Sequence, residues 1–209
     1  MNILFIGDSL TRGYDVPYGL GWVELTAKDL EAHKKPGTTL AVTNAGVDGA
    51  SLQAIYNNLE RCYSGSFEGT IYGQSRSCGI GELTKELSFD IVFIMGGTND
   101  ILQGRDAEYC LKTLLKSIQY IRARGAQIIM GIPPHIDWDP DGDNAIIQAY
   151  RDKLLEYCRA HHMLFIDFYK TLRAADDRKE IIYDGDVHPN ELGYRYMYEI
   201  AAEVIRPLV

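Results

Sequence analysis

The sequence predicts an α/β protein in which helices cover both faces of a parallel β-sheet. Five short apolar segments, rich in β-branched residues, alternate along the chain with longer segments whose apolar residues recur every three or four positions. The short segments have no polar, solvent-facing side, which is typical of parallel strands buried on both faces. No internal repeat or linker divides the 209 residues, so we expect one domain over residues 1–209.

The elements follow one another in the order strand, loop, helix. The predicted strands cover residues 2–6, 39–43, 90–95, 126–132 and 163–166. The first predicted helix begins at Trp22 and ends before Pro36. The others cover residues 51–61, 111–121 (stopped by Gly125), 144–161 and about 191–205, and a short helix covers 169–175. Residues 63–81 are rich in Gly and Ser, show little periodicity and are predicted to form a long loop, functional or decorative.

Five strands in a chain of this length favour the flavodoxin-like strand order 2-1-3-4-5 in a three-layer α/β/α sandwich. In that order the first and third strands are neighbours at the topological switch point, where open α/β sheets bind ligands. Ser9 follows the first strand, and Thr98 and Asn99 follow the third. We therefore expect these three residues to meet at one edge of the sheet.

Composition and charge argue against several classes of partner. A net charge of -8 disfavours nucleic acid and anionic membrane surfaces, because both require clustered Lys and Arg. No apolar run approaches the ~20 residues that span a bilayer, and Met1 leads directly into the first strand without a secretory signal. We predict a cytoplasmic protein without membrane insertion, either a monomer or a homodimer.

The cysteines do not indicate a metal site. The four of them form neither a CxxC pair nor a Cys/His cluster at zinc spacing. Cys62 and Cys78 flank the Gly/Ser-rich loop and could pair, but free thiols are favoured in a chain without a signal sequence.

The stretch Gly7-Asp8-Ser9-Leu10 is a candidate nucleophile turn. A serine just past the end of a strand, beside a glycine that permits a tight turn, is a typical position for a nucleophile in an α/β protein. Such a serine needs a base, and His188 is the best of the five histidines because it lies in a loop just before the last helix. His135, in the loop after the fourth strand, is its rival.

Other residues could complete this chemistry. Asp184 or Asp186 could orient the imidazole. The N–H groups of Ser9 and Gly46 and the side-chain amide of Asn99 could bind an oxyanion. Each residue also has a purely structural interpretation, as a turn glycine, an N-cap or a charge at a helix entry.

Taken together, four sequence blocks resemble the SGNH (GDSL) hydrolase superfamily. They are Gly-Asp-Ser, Asn-x-Gly, Gly-Gly-Thr-Asn-Asp and Val-His-Pro-Asn, in that order from Gly7 to the last helix. The resemblance implies hydrolysis of a small-molecule ester or thioester through an acyl-enzyme, with no metal and no organic cofactor. It implies Ser9 as nucleophile, His188 as general base, and an oxyanion hole formed by Ser9, Gly46 and Asn99.

The sequence departs from the superfamily in its triad aspartate. The superfamily usually has this aspartate three residues before the histidine, where this chain has Gly185. Asp186 lies two residues before His188 and Asp184 lies four before it. We favour Asp186 as the orienting residue, with Asp184 as the alternative.

The substrate pocket is expected to include Asp8, Thr98, Tyr14, His135 and Trp138. Tyr14 and Trp138 could stack on sugar rings, so a carbohydrate O-acetylesterase is a narrower alternative. A non-catalytic flavodoxin-like module that binds phosphate through residues 7–9 is the alternative from a different class. Asp8 argues against that module because its carboxylate would repel phosphate, and the turn contains no lysine.

Residues 137–143 match the first half of a calcium loop, D-x-D-x-D-G. The twelfth position of the match is Gln148 rather than the glutamate that closes an EF-hand. We therefore favour an acidic turn in which Asp143 caps the next helix.

Overall fold

The computed structural model describes residues 1–66, 70–72, 87–140, 142–185 and 187–209. Its strands are β1 Asn2–Gly7, β2 Ala41–Gly46, β3 Thr70–Tyr72, β4 Ile91–Ile94, β5 Gln127–Ile132 and β6 Leu164–Asp167. Its helices are α1 Ser9–Arg12, α2 Trp22–His33, α3 Leu52–Ser64, α4 Thr98–Leu102, α5 Ala107–Arg122, α6 Asp143–Ala160, α7 Phe168–Asp177 and α8 Glu191–Ile205, followed by a 3₁₀ turn at Arg206–Leu208.

The strands form one sheet in the order β3-β2-β1-β4-β5-β6. The four pairings among β1, β2, β4, β5 and β6 that build its body are all parallel, which confirms the predicted five-stranded sheet of order 2-1-3-4-5. The short strand β3 adds an antiparallel edge beside β2. It lies in the stretch for which the sequence predicted only a loop.

Helices pack on both faces of the sheet, as expected for a three-layer sandwich. Successive residues of β1 point to opposite faces. Leu4 and Ile6 belong to a core cluster with α3, α5 and α6, whereas Ile3 and Phe5 belong to a cluster with α2, α7 and α8. All four residues are fully buried, which explains why β1 is apolar without alternation.

Strand β2 ends later in the structure than in the prediction. The pairing with β1 continues to the register Gly7↔Gly46, so Asn44 and Gly46 belong to the strand rather than to the following turn. A Cβ added to Gly46 would lie 2.3 Å from the backbone nitrogen of Arg12. Gly46 is therefore required where β2 passes directly beneath the turn after β1.

Two further observations concern the chain as a whole. None of the helices in the described residues is long and apolar enough to cross a membrane. The cysteines at positions 62, 110 and 158 are buried free thiols, whereas Cys78 lies outside the described residues.

Candidate active site

Ser9 is presented by a one-turn helix that begins directly after β1. The Asp8 side chain caps α1 by accepting a hydrogen bond from the N–H of Leu10 at 3.1 Å. A Cβ on Gly7 would lie 2.6 Å from the carbonyl oxygen of Met95, so the tight turn before Ser9 requires glycine. Ser9 itself is 6% exposed, so it is buried within this turn.

His188 reaches this serine from the other end of the chain. Its Nε2 lies 2.9 Å from Oγ of Ser9, although the two residues are 179 positions apart. This is the distance expected between a nucleophile and its general base. The fold therefore brings the two residues of the predicted pair into hydrogen-bond contact.

The loop that carries His188 is closed at its base. A bridge pairs Tyr183 with Pro189, and the N–H of Asn190 donates to the Ile182 carbonyl at 2.9 Å. The hydroxyl of Tyr183 donates to the backbone oxygen of His135, which ties this loop to the loop after β5. A role for Tyr183 was not predicted, because a tyrosine in a short apolar run has no distinguishing pattern.

The aspartates near His188 are only partly described. Asp184 accepts a hydrogen bond of 3.3 Å from the side chain of Asn190, and Asn190 also caps α8 through the N–H groups of Leu192 and Gly193. Asp186 lies outside the described residues. The choice between Asp186 and Asp184 as the orienting group stays a prediction.

A cavity of about 450 Å³ opens beside the Ser9–His188 pair. It lies at the carboxyl ends of β1 and β4, at the switch point of the sheet. Its lining residues come from the ends of β1 and β2, from α4 and from the His188 loop: Asp8, Ser9, Leu10, Tyr14, Asp48, Gly49, Thr98, Asn99, Leu102, Val187 and His188.

Asn99 lies in α4, a single turn that follows Gly97. Gly97 adopts φ 115° and leaves no room for a side chain, since its Cβ would lie 2.6 Å from the Tyr150 ring. Nδ2 of Asn99 donates to the Ala50 carbonyl at 3.2 Å. The amide carries two N–H groups, so one fixes its orientation and the other can face the cavity.

Gly46, which was predicted to give an oxyanion donor, is not among the described residues that line the cavity. Its N–H donates to Oδ1 of Asn44 at 3.0 Å, within strand β2. Gly49, three residues later, does line the cavity and adopts φ +67°. In the described part of the chain the N–H of Gly49 has no hydrogen-bond partner. The only signal in the sequence was a second glycine in the same turn.

The predicted pocket residues divide into two groups. Asp8, Thr98 and Tyr14 line the cavity. His135 does not, because it is 3% exposed and its ring packs between Tyr169 and Tyr183; burial, reinforced by the charge of Arg173, lowers the pKa of His135.

Trp138 is also absent from the cavity lining. Its side chain is 65% exposed. It lies on the loop after β5, whose position is fixed by Asn144: the amide of Asn144 donates to the Ile136 carbonyl at 2.8 Å and accepts from the Ile136 N–H at 2.9 Å.

The acidic turn before α6 is a capping structure with a different cap from the predicted one. The carboxylate of Asp139 accepts from the N–H groups of Asp143 and Asn144 at 2.6 and 3.2 Å, and Asp143 is the first residue of the helix. Asp141 lies outside the described residues. Among those that are described, no three His, Cys, Asp or Glu side chains are grouped as a metal site would require.

A buried carboxyl group lies directly beside Ser9 in the chain. Asp8 is fully buried, and its Oδ2 accepts no hydrogen bond from any described residue. Burial raises the pKa of Asp8 to about 7, opposed by the N–H of Leu10 and increased by repulsion from Asp100. Burial also raises the pKa of Asp100, although its carboxylate accepts the N–H of Leu52 at 2.8 Å.

Comparisons with known proteins agree with this geometry. Residues 5–196 match the model of the GDSL-like lipase/acylhydrolase family. An arylesterase of Vibrio mimicus is 25% identical over 211 residues, which cover 99% of this chain and 90% of that protein.

Solved structures are also similar over almost the whole length. A member of the lipolytic protein G-D-S-L family from Veillonella parvula has 38% identity and a TM-score of 0.76, covering 98% of this chain and 97% of that one. The acetylxylan esterase Axe2 of Geobacillus stearothermophilus has 18% identity and a TM-score of 0.74, covering 98% of this chain and 93% of that one. At that identity the second likeness concerns the fold alone.

Proposed function

The chain belongs to the GDSL-like lipase/acylhydrolase family and is a serine ester hydrolase of the SGNH type, and from that premise we propose that it hydrolyses small, uncharged carboxylic esters through an acyl-enzyme on Ser9. The observation that carries the proposal is the 2.9 Å contact between Nε2 of His188 and Oγ of Ser9 at the wall of the cavity.

The proposed reaction has two halves that use the same groups. His188 takes the proton of the Ser9 hydroxyl as Oγ attacks the ester carbonyl, and then gives that proton to the departing alcohol. Water attacks the acyl-enzyme in the second half, with His188 again accepting the proton and returning it to Ser9. The histidine is therefore charged near both transition states and neutral in between.

Three donors are proposed to hold the oxyanion. The N–H of Ser9 lies in the first turn of α1 and has no partner within the helix. The second N–H of the Asn99 amide is available beside it. For the third donor we replace Gly46 by Gly49, because the N–H of Gly46 is engaged with Asn44 whereas Gly49 borders the cavity.

The cavity favours small substrates without negative charge. A volume of about 450 Å³ is at the small end of the range for ligand sites. Among the described residues that line it none is lysine or arginine, whereas two are aspartates, and the net charge of the chain is -8. The lining therefore offers no cationic side chain to an ester with a phosphorylated or carboxylated leaving group, and the nearby Arg12 is already paired with Asp48.

A carbohydrate O-acetylesterase is the second candidate. Tyr14 offers an aromatic surface and Asp48 offers hydrogen-bond acceptors on the cavity wall, and this combination suits a sugar ring with its hydroxyl groups. A panel of p-nitrophenyl esters from acetyl to decanoyl, together with acetylated xylose and acetyl-CoA, separates the candidates. Preference for the acetylated sugar over p-nitrophenyl acetate supports the second, and preference for acetyl-CoA contradicts both.

The central experiment is the substitution Ser9→Ala. We expect kcat for p-nitrophenyl acetate to fall by ~10³-fold or more and labelling by a fluorophosphonate probe to disappear. Ser117→Ala is the matched control, since Ser117 is a fully buried serine on α5 outside the cavity lining, and it should retain both activities. Undiminished hydrolysis by Ser9→Ala would remove Ser9 from the mechanism.

A further inference from the structure

Tyr14 packs against the imidazole that serves as the base. The ring centroids of Tyr14 and His188 are 4.6 Å apart, and the two ring planes are inclined by 43°. The N–H of Tyr14 donates to the Ser9 carbonyl at 3.1 Å. The turn that presents the nucleophile therefore also fixes the aromatic ring that contacts the base.

A guanidinium group shares the Tyr14 ring. Cζ of Arg12 lies 5.4 Å from the ring centroid, within the distance at which a cation is attracted to an aromatic face. Nε of Arg12 donates to Oδ1 of Asp48 at 2.6 Å. The side chains of Arg12 and Asp48 are 51% and 43% exposed, so the pair lies at the rim of the cavity.

We propose that Tyr14 is a positioning residue for His188 that also stabilises its charged form, and that Asp48 screens the charge of Arg12 from that site. The inference rests on the proposed function, because it concerns the histidine of the acyl-enzyme mechanism. The contact limits rotation of the imidazole and so keeps Nε2 directed at Ser9. An aromatic ring also attracts the imidazolium more strongly than the neutral imidazole, which lowers both barriers without stabilising the resting enzyme.

The role of Asp48 follows from the same geometry. An unscreened guanidinium beside Tyr14 would compete for the ring and would repel the imidazolium as it forms. The 2.6 Å contact with Asp48 offsets the positive charge locally. The net effect of Arg12 on the base is then small as long as Asp48 is ionised.

The two halves of the reaction separate this role from simple substrate contact. Tyr14 lines the cavity and could also touch the alcohol part of the ester. The alcohol has left before deacylation, but His188 is still needed then. A ring that acts through His188 affects acylation and deacylation alike, whereas a ring that only binds the alcohol affects acylation alone.

The experiment measures both rates for Tyr14→Leu and Tyr14→Phe by pre-steady-state kinetics with p-nitrophenyl acetate. We expect Leu to slow the burst and the steady state by similar factors, ~3- to 10-fold each for the loss of a partly buried cation–π contact. Phe keeps the ring and should recover most of both rates. Tyr109→Leu is the control, because it removes another tyrosine under an arginine (Arg105, 4.9 Å) on α5, away from the cavity, and both rates should be unchanged.

A charge cycle tests the second half of the proposal. Asp48→Asn should slow both steps by ~3-fold, the effect of one unscreened cation at a solvent-exposed site. Adding Arg12→Gln should restore them, because the unscreened cation is gone. A double variant as slow as Asp48→Asn would show that Asp48 acts by shaping its loop and would overturn the screening role.

The outcomes for Tyr14 are equally separable. A Tyr14→Leu variant with slowed acylation and unchanged deacylation overturns the positioning role and leaves only substrate contact, as does a Phe variant as slow as Leu. A wild-type enzyme that hydrolyses p-nitrophenyl acetate but is not labelled at Ser9 by a fluorophosphonate probe contradicts the proposed function itself. That result would be seen before any variant is compared.

Discussion

Replacing Asp8 by Asn should stabilise the protein at alkaline pH but not at acidic pH. The Asp8 carboxyl is fully buried, and burial raises its pKa from an ordinary value of 3.8 to about 7. At a pH between these two values, Asp8 keeps its proton in the folded chain and releases it in the unfolded chain. Stability from this group is therefore greatest below about pH 4, falls as the pH rises, and is fully lost above pH 7.

The size of the effect follows from the same values. A difference of about three in pKa corresponds to ~4 kcal/mol of unfolding free energy between pH 4 and pH 8, at ~1.4 kcal/mol for each pKa unit. Asn has the shape of Asp and can accept the N–H of Leu10 in the same way, but it has no charge to bury. The gain of the Asp8→Asn variant over the wild type should thus grow by up to ~4 kcal/mol over this pH range.

Urea unfolding at pH 4, 6 and 8, followed by the fluorescence of the buried Trp22, measures the gain. Asp106→Asn is the control, because Asp106 caps α5 through the N–H of Tyr109 at an exposed position and tests the loss of a capping carboxylate alone. A gain for Asp8→Asn that is the same at all three pH values would refute the reasoning, since it would mean that the buried carboxyl does not change protonation on unfolding.

The remaining predictions concern the residues around the cavity. Asn99→Ala should lower kcat for p-nitrophenyl acetate by ~10²-fold, the typical effect of one lost oxyanion donor, and a variant with unaltered kcat would remove Asn99 from the oxyanion hole. Gly46→Ala should lower the urea unfolding free energy by roughly 1–3 kcal/mol, because its Cβ would lie 2.3 Å from the Arg12 nitrogen; a variant of normal stability would contradict that close approach. Tyr183→Phe should reduce kcat by roughly tenfold with little change in KM, since a small displacement of the base is enough for such a loss. Tyr194→Phe is its control and should leave kcat unchanged, because it removes a buried hydroxyl without a partner in the described residues. Trp138→Ala should leave kcat and KM unchanged, and a raised KM would place Trp138 in the pocket after all.

The fold and the contact between Ser9 and His188 were predictable because each depends on a local pattern. Strand β1 has no polar face, so Leu4 and Phe5 had to be buried on opposite sides of a covered sheet. The position of Ser9 then followed from the end of that strand. His188 was identified among five histidines by its place in the loop before the last helix and by the blocks that resemble the superfamily.

The helices α1 and α4 could not be predicted for the opposite reason. Each is a single turn, too short to show the period of 3.6 that identifies a helix in a sequence. Both are fixed by tertiary contacts instead: Asn99 is oriented by the Ala50 carbonyl, and α1 is pressed against β2 at Gly46. Contacts between distant segments of this kind cannot be predicted from the sequence of either segment alone.

The aromatic and histidine residues after β5 were predicted in the pocket for a reason that was correct only in part. A loop at the carboxyl end of a central strand does approach the crevice, but the direction of its side chains depends on what lies beneath it. Here the ring of His135 packs inward between Tyr169 and Tyr183. The hydroxyl of Tyr183 donates a hydrogen bond to the backbone oxygen of His135. This hydrogen bond joins the loop after β5 to the loop that carries His188.

The two glycines of the turn after β2 show most clearly what decides a site residue. Gly46 and Gly49 are equivalent as letters in a glycine-bearing turn, and either N–H could serve an oxyanion. The two glycines differ because of the length of the pairing between β1 and β2. The pairing continues to Gly7↔Gly46, so Gly46 belongs to the sheet, and its N–H donates to the side chain of Asn44. The chain can turn toward the cavity only after that point, and the first glycine it offers there is Gly49. Strand register, and not the motif itself, therefore decides which of the two glycines borders the cavity.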